Sequence, residues 1–274
     1  MQSGSAARAQ PRHQGNARAA VRSAPAAGAA TPPKPRSNGH GRPKQQARPA
    51  DEVYPDQQAR PSAAVPWYER ARSNRLAPGR RHCGLLERIL HREWDADQAP
   101  PPQIVLAVDR LAELPQLIKE KLVAGLDAIH LGPGGVPNLD HMGSLAGVPL
   151  PSGRATWDAC AGAYGERKII VGSRPSPTPD VMCHEIGHAL DDIDGAAGCW
   201  QSDSEEFRGL YDQCLEWMSS DFHRQPGQLG RREFFADAFA AIASSQRPAL
   251  VEMVGGNTRA ALNVMLFFNV RYGI

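Results

Sequence analysis

The 274-residue sequence contains no apolar run approaching the roughly 18–20 residues that a membrane-spanning helix needs. The longest, residues 260–270, is broken by Asn263 and Asn269 and reads as a buried helix. The first residues carry Arg and Ala but no continuous apolar core, so a Sec-type signal peptide is not expected. Cysteine is sparse and unpatterned. Cys83, Cys160, Cys183, Cys199 and Cys214 are odd in number and form no CxxC pair, which argues against a disulfide framework and for a reducing compartment. Charge of one sign is also lacking: 31 Lys and Arg against 29 Asp and Glu give +2.

That balance hides a split at Pro66. Residues 1–66 hold ten basic residues and three acids, a net +7, and the remainder is −5. The same segment carries ten of the 24 prolines and one aromatic, Tyr54. Such a composition cannot bury enough apolar surface to offset its ordering entropy, so residues 1–66 read as a disordered leader. Its basic residues stand singly, without aromatics for base stacking, and no nucleic-acid partner is expected. A leader of this kind suits an exported bacterial protein, secreted without a Sec signal, with an export chaperone as a partner for the leader. Residues 67–101 read as a transition with one helix, and residues 102–274 as the domain that holds the chemistry, expected to be monomeric.

Apolar spacing over 83–94 predicts a helix, and the run at 104–108 (IVLAV) predicts a strand. A helix over 114–126 and a strand over 127–131 follow. The Gly/Pro-rich stretch 132–153 reads as loop, and Gly132-Pro133-Gly134-Gly135 lacks the Lys-Ser/Thr of a phosphate loop. Segments 161–164 and 168–172 predict a hairpin or two edge strands. Four helices are expected beyond residue 178, over 179–191, 203–219, 231–245 and 257–270. The expected fold class is α+β, a small sheet and hairpin above a helical lower half.

The chemistry concentrates at Cys183-His184-Glu185-Ile186-Gly187-His188-Ala189-Leu190-Asp191. His184 and His188 lie four apart, so both imidazoles project from one helix face, the spacing at which Zn²⁺ takes two nitrogen ligands from one element. Glu185 stands beside that position, able to take a proton from water without binding the ion. A third ligand is needed. Asp203, Glu205 and Glu206 are nearest, but Glu233 is the better candidate: it lies on a strongly apolar helix with Asp237 one turn along, placed to hydrogen-bond a ligand histidine. Asp191-Asp192-Ile193-Asp194-Gly195 resembles half a calcium loop without its distant glutamate and reads as an acidic helix end.

HEIGHALD at 184–191 together with EFFADAF at 233–239 resembles the zinc-peptidase domain of anthrax lethal factor and the related bacterial Pro-Pro endopeptidases. The resemblance implies a gluzincin-like fold, with His184, His188 and Glu233 as Zn²⁺ ligands, Glu185 as catalytic base and Asp191 in support. It also implies an edge strand that pairs with extended substrate, here Lys168, Ile169, Ile170, Val171 and Gly172. The family's oxyanion-stabilising tyrosine is missing: Pro226 stands near its place, and no tyrosine lies between Tyr211 and Glu233. His223 is the expected substitute donor, with Tyr211 a weaker one.

The sequence is therefore read as a zinc endopeptidase acting on a protein or peptide substrate, an effector or toxin delivered into host cytosol. A cytosolic regulatory zinc peptidase, or a zinc-binding interaction module without turnover, are the alternatives. Retention of every biological effect by a zinc-loaded Glu185→Ala variant would favour the module.

Overall fold

The computed structural model describes residues 78–150, 155–196 and 198–274. The leader expected over 1–66 lies outside them.

Pro102 opens the first helix, α1 (Pro102–Glu113), where its missing N–H is no loss. The strand expected at 104–108 is corrected here. Ile104, Ala107, Val108 and Leu111 are buried at helical spacing, a period that a five-residue apolar run conceals. Helix α2 (Gln116–Gly125) follows after Pro115. The helix expected over 83–94 is corrected too. A 3₁₀ turn at Gly84–Arg88 gives way to strand β1 (Leu90–Arg92), whose backbone is taken up by parallel pairing with β2 (Ala128–Leu131). Tertiary pairing overrides local spacing at this point. Because β1 belongs to the sheet and Cys83 and Leu86 lie in the main core, the folded body does not begin at residue 102.

Strands β3 (Gly162–Gly165) and β4 (Lys168–Val171) form an antiparallel hairpin. Its two-residue turn places Glu166 and Arg167 at φ 49° and 60°, the left-handed pair that matches strand twist. Strand order is β1-β2-β4-β3, with β2 and β4 parallel. Strand β4 is thus interior, paired on both sides. Beyond it, Gly172 N donates to Ala161 O at 2.7 Å and Ser173 N to Gly134 O of the glycine loop at 2.8 Å. The expectation that Lys168 to Gly172 offer an open edge is therefore corrected, because their main-chain groups are committed. Among the described residues the sheet's edges are β1 and β3, and β3 is the edge antiparallel to its neighbour.

Side chains alternate across the sheet. Ile129, Leu131, Tyr164, Ile169 and Val171 face the helices; Ala163 and Ile170 face a smaller cluster with Val136, Leu139, Leu150 and Cys160. Helix α3 (Val181–Ile193) packs against the first face, followed by α4 (Glu205–Leu215), α5 (Leu229–Ala243), α6 (Arg247–Met253) and α7 (Thr258–Tyr272). The short α6, which starts beside Pro248, was not expected. Seven α-helices and a four-stranded sheet make the described residues a mixed α/β fold. Phe207, Phe235, Phe239, Phe267, Phe268 and Tyr272 make edge-to-face contacts where α4, α5 and α7 meet, and Phe234 tilts against Phe207. Each buried ring contributes about 1.5–3 kcal/mol of transfer free energy, which makes this cluster the anchor of α5. Among the described residues no helix is long and apolar enough to cross a membrane.

Candidate metal centre

Helix α3 is buried without interruption from Met182 to Asp191, so its polar residues must find partners inside the protein. Its start is fixed by Asp180. One carboxylate oxygen accepts from Cys183 N at 3.0 Å and the other from Arg110 Nε at 2.8 Å, so the N-cap also ties the helix to α1. Helix α5, apolar on nearly all sides, crosses α3 at Gly187. A Cβ on Gly187 would lie 2.7 Å from Ala236 Cα and 3.0 Å from Ala236 O. Only glycine permits that approach, and it brings Glu233 and Asp237, which flank Ala236, against the two histidines.

His184, His188 and Glu233 meet as a buried triangle. The two histidine Nε2 atoms are 3.1 Å apart, and Glu233 Oε2 lies 3.5 Å from one and 3.6 Å from the other. A point equidistant from the three atoms sits about 2.0 Å from each, matching zinc–nitrogen and zinc–carboxylate bond lengths of about 2.0–2.2 Å. Both oxygens of Glu233, a residue 1% exposed, lack a hydrogen-bond partner. A buried carboxylate in that condition is costly unless a cation satisfies it. Burial disfavours the charged form of every member. Even so, His188 and His184 hold the Glu233 carboxyl below its ordinary range, while burial pushes His188 down. Burial works the same way on His184 but loses to Asp237, with Glu185 and Glu233 adding, and its pKa rises to about 9. The donor set and spacing fit a divalent cation.

Asp237, fully buried, is the hub beside this triangle. Its Oδ1 lies 2.7 Å from His184 Nδ1 and accepts from Thr178 Oγ1 at 2.9 Å; its Oδ2 lies 2.9 Å from His223 Nε2. A carboxylate only accepts, so Asp237 holds a proton on His184 Nδ1, and in the neutral form that can bind a cation the Nε2 lone pair faces Glu233 and His188. His188 has no such support, since its Nδ1 is buried without a partner. Instead its ring packs against the edge of Trp200, with centroids 6.4 Å apart, and Arg232 stacks over Trp200 at 4.1 Å. Trp200 was not singled out in the sequence, where nothing in its spacing marks it, and Thr178 reads there only as part of the start of α3.

Glu185 is buried beneath the start of the edge strand, where a Cβ on Gly162 would lie 2.7 Å from its Oε1. Glu185 is therefore packed against β3, one of the two edge strands. His223 is placed differently from expectation. Its Nε2 is engaged by Asp237 and the residue is 3% exposed, so it does not aim a donor at an open cleft. Tyr211 is engaged as well, donating its hydroxyl to His223 O at 2.6 Å.

The acids at the end of α3 do not converge on a cation. Asp191 Oδ1 accepts from Ser202 N, Asp192 from the Tyr164 hydroxyl, and Asp194 pairs with Lys121 Nζ at 2.6 Å. Burial raises the Asp191 carboxyl to about 7, only partly countered by Ser202 and Arg232. Raised above its unfolded value, this group stabilises the fold fully below about pH 4, and that contribution is lost as pH rises through about 7. Asp191→Asn, which keeps the acceptor for Ser202, should remove this slope. Urea midpoints at pH 5 and pH 7.5 should then differ less in the variant than in the parent; an equal difference would refute the assignment.

No protein-family model and no curated protein matches the sequence. Among solved structures the chain is similar to the Pro-Pro endopeptidase PPEP-2 from Paenibacillus alvei, with a TM-score of 0.50 and 19% identity. The match covers 67% of this chain and 100% of that one. At that identity the likeness is one of fold, and it bears on the Pro-Pro endopeptidases rather than on lethal factor.

Proposed function

We propose that the protein is a zinc-dependent endopeptidase of the gluzincin type, with His184, His188 and Glu233 as ligands and Glu185 as general base. The observation that carries this reading is the buried His–His–Glu triangle, its carboxylate unpartnered, with Glu185 on the same helix. It is supported by a fold similar to that of a Pro-Pro endopeptidase.

When bound, Zn²⁺ supplies Lewis acidity that polarises a carbonyl oxygen and eases deprotonation of water. The chain's own groups do the rest. Glu185 accepts the proton of the attacking water on a carboxylate oxygen and passes it to the leaving amine nitrogen. Asp237 keeps the His184 proton on Nδ1. Strand β3 presents main-chain groups to an extended substrate, the place first given to β4. Export with residues 1–66 as the delivery segment remains part of the proposal and is carried by their composition, a net +7 with ten prolines.

Cleavage of a peptide library with and without a strong chelator tests the reading. Cleavage that stops on chelation and returns with Zn²⁺ is expected. Cleavage indifferent to the chelator refutes it, and a zinc-loaded chain that cleaves nothing favours an interaction module.

A further inference from the structure

We propose that His223 is a positioning residue of the metal centre: by donating Nε2–H to Asp237 Oδ2 it locks the carboxylate that sets the tautomer and tilt of His184. The inference rests on the metal-centre reading above and deepens it.

His223 precedes α5 and reaches Asp237 across 14 residues of sequence. Its place is specified from several sides. Tyr211 donates to its carbonyl, and that same carbonyl lies where a Cβ on Gly230 would come within 2.5 Å. The ring is flanked by Phe222 and Phe234 at centroid distances of 5.6 and 5.8 Å. Such a slot would suit an aromatic hydrocarbon. Yet it holds an imidazole whose Nδ1 is buried with no hydrogen-bond partner, an arrangement that costs free energy. The polar contact of its ring recorded among the described residues is the one to Asp237. The imidazole is therefore explained by what it does for that carboxylate.

His184 and Thr178 engage Oδ1 of Asp237, and His223 engages Oδ2. Contacts on both oxygens fix the plane of the carboxylate and keep Oδ1 aimed at His184 Nδ1. A fixed imidazole loses less orientational freedom on binding a cation than a loose one does, so the site is pre-organised.

The test measures Zn²⁺ affinity by chelator competition on the full chain. The variants are His223→Phe, which fills the slot without a donor, His223→Gln, whose amide reaches Oδ2, and the shorter His223→Asn. His223→Phe is expected to weaken Zn²⁺ binding by about 10–100-fold, and His223→Gln to stay within about threefold of the parent. Such rescue would not follow if His223 only filled space. Affinity of His223→Phe within about twofold of the parent overturns the inference. If His223→Phe does not fold, the Gln and Asn variants decide: a clear advantage for Gln supports the inference, and equal affinities overturn it. A parent chain that takes up no Zn²⁺ overturns the metal reading and this inference together, whereas a parent that binds, with His223→Phe its equal, overturns this inference alone.

Discussion

Replacing Glu185 with glutamine is expected to lower kcat by about 10³-fold while leaving the Zn²⁺ content of the protein unchanged. General acid–base groups contribute about 10²–10⁴-fold; of the two carboxylates beside the triangle that are not among its three members, Asp237 is engaged by His184, Thr178 and His223, and Glu185 follows His184 on the same helix. Glutamine keeps the volume and the packing beneath Gly162 but cannot accept the proton of water. KM should change little, because the edge strand and the ligand set are untouched. The measurement is steady-state cleavage of the best library peptide, with metal analysis of the same sample. Undiminished kcat at full metal occupancy would remove Glu185 from the mechanism, and loss of metal would show that it also holds the site together.

Gly187→Ala is the second large effect expected. The new Cβ would lie 2.7 Å from a backbone carbon of the facing helix, and backbone cannot step aside as a side chain does. Overpacking of this kind costs about 1–3 kcal/mol, and the better helix propensity of alanine returns about 1 kcal/mol. With backbone against backbone the cost should fall at the top of that range, leaving a net loss of about 2 kcal/mol. The consequence for the site exceeds that for the fold. Forcing α5 away from α3 carries Glu233 and Asp237 with it, so Zn²⁺ affinity should fall even where the variant remains folded. Urea unfolding of the metal-free protein and chelator competition separate the two effects. A variant with parental stability and parental affinity would show that the crossing is looser than its geometry.

Much of the candidate site was legible because its parts recur at helical period. His184, Glu185 and His188 lie within one turn of one helix, and the Glu233–Asp237 pair repeats the spacing on another. Gly187 was legible as an anomaly, a poor helix former at a central position, and the crossing with Ala236 gives its reason. What failed was non-local. Strand order depends on which edges pair across the fold, so nothing in residues 168–172 told that β4 lies between β2 and β3. The β1 segment looked helical because its partner lies about 40 residues away, and α1 looked extended because its first five apolar residues hide the period. His223 stood in a loop with no periodicity. Its tie to Asp237 follows from how the loop folds back over α5.

The distribution of the candidate ligands over two helices carries a consequence for how the protein comes apart. His188 and Glu233 are separated by about 45 residues, a span that includes α4 and the loops on either side of it. A cation held at both ends closes that span as a cross-link would, and the denatured chain loses the conformations in which the two ends drift apart. Unfolding of the loaded protein must then release the ion before the loop can open. Occupancy would set how long the molecule survives in a proteolytic environment as well as whether it turns over substrate.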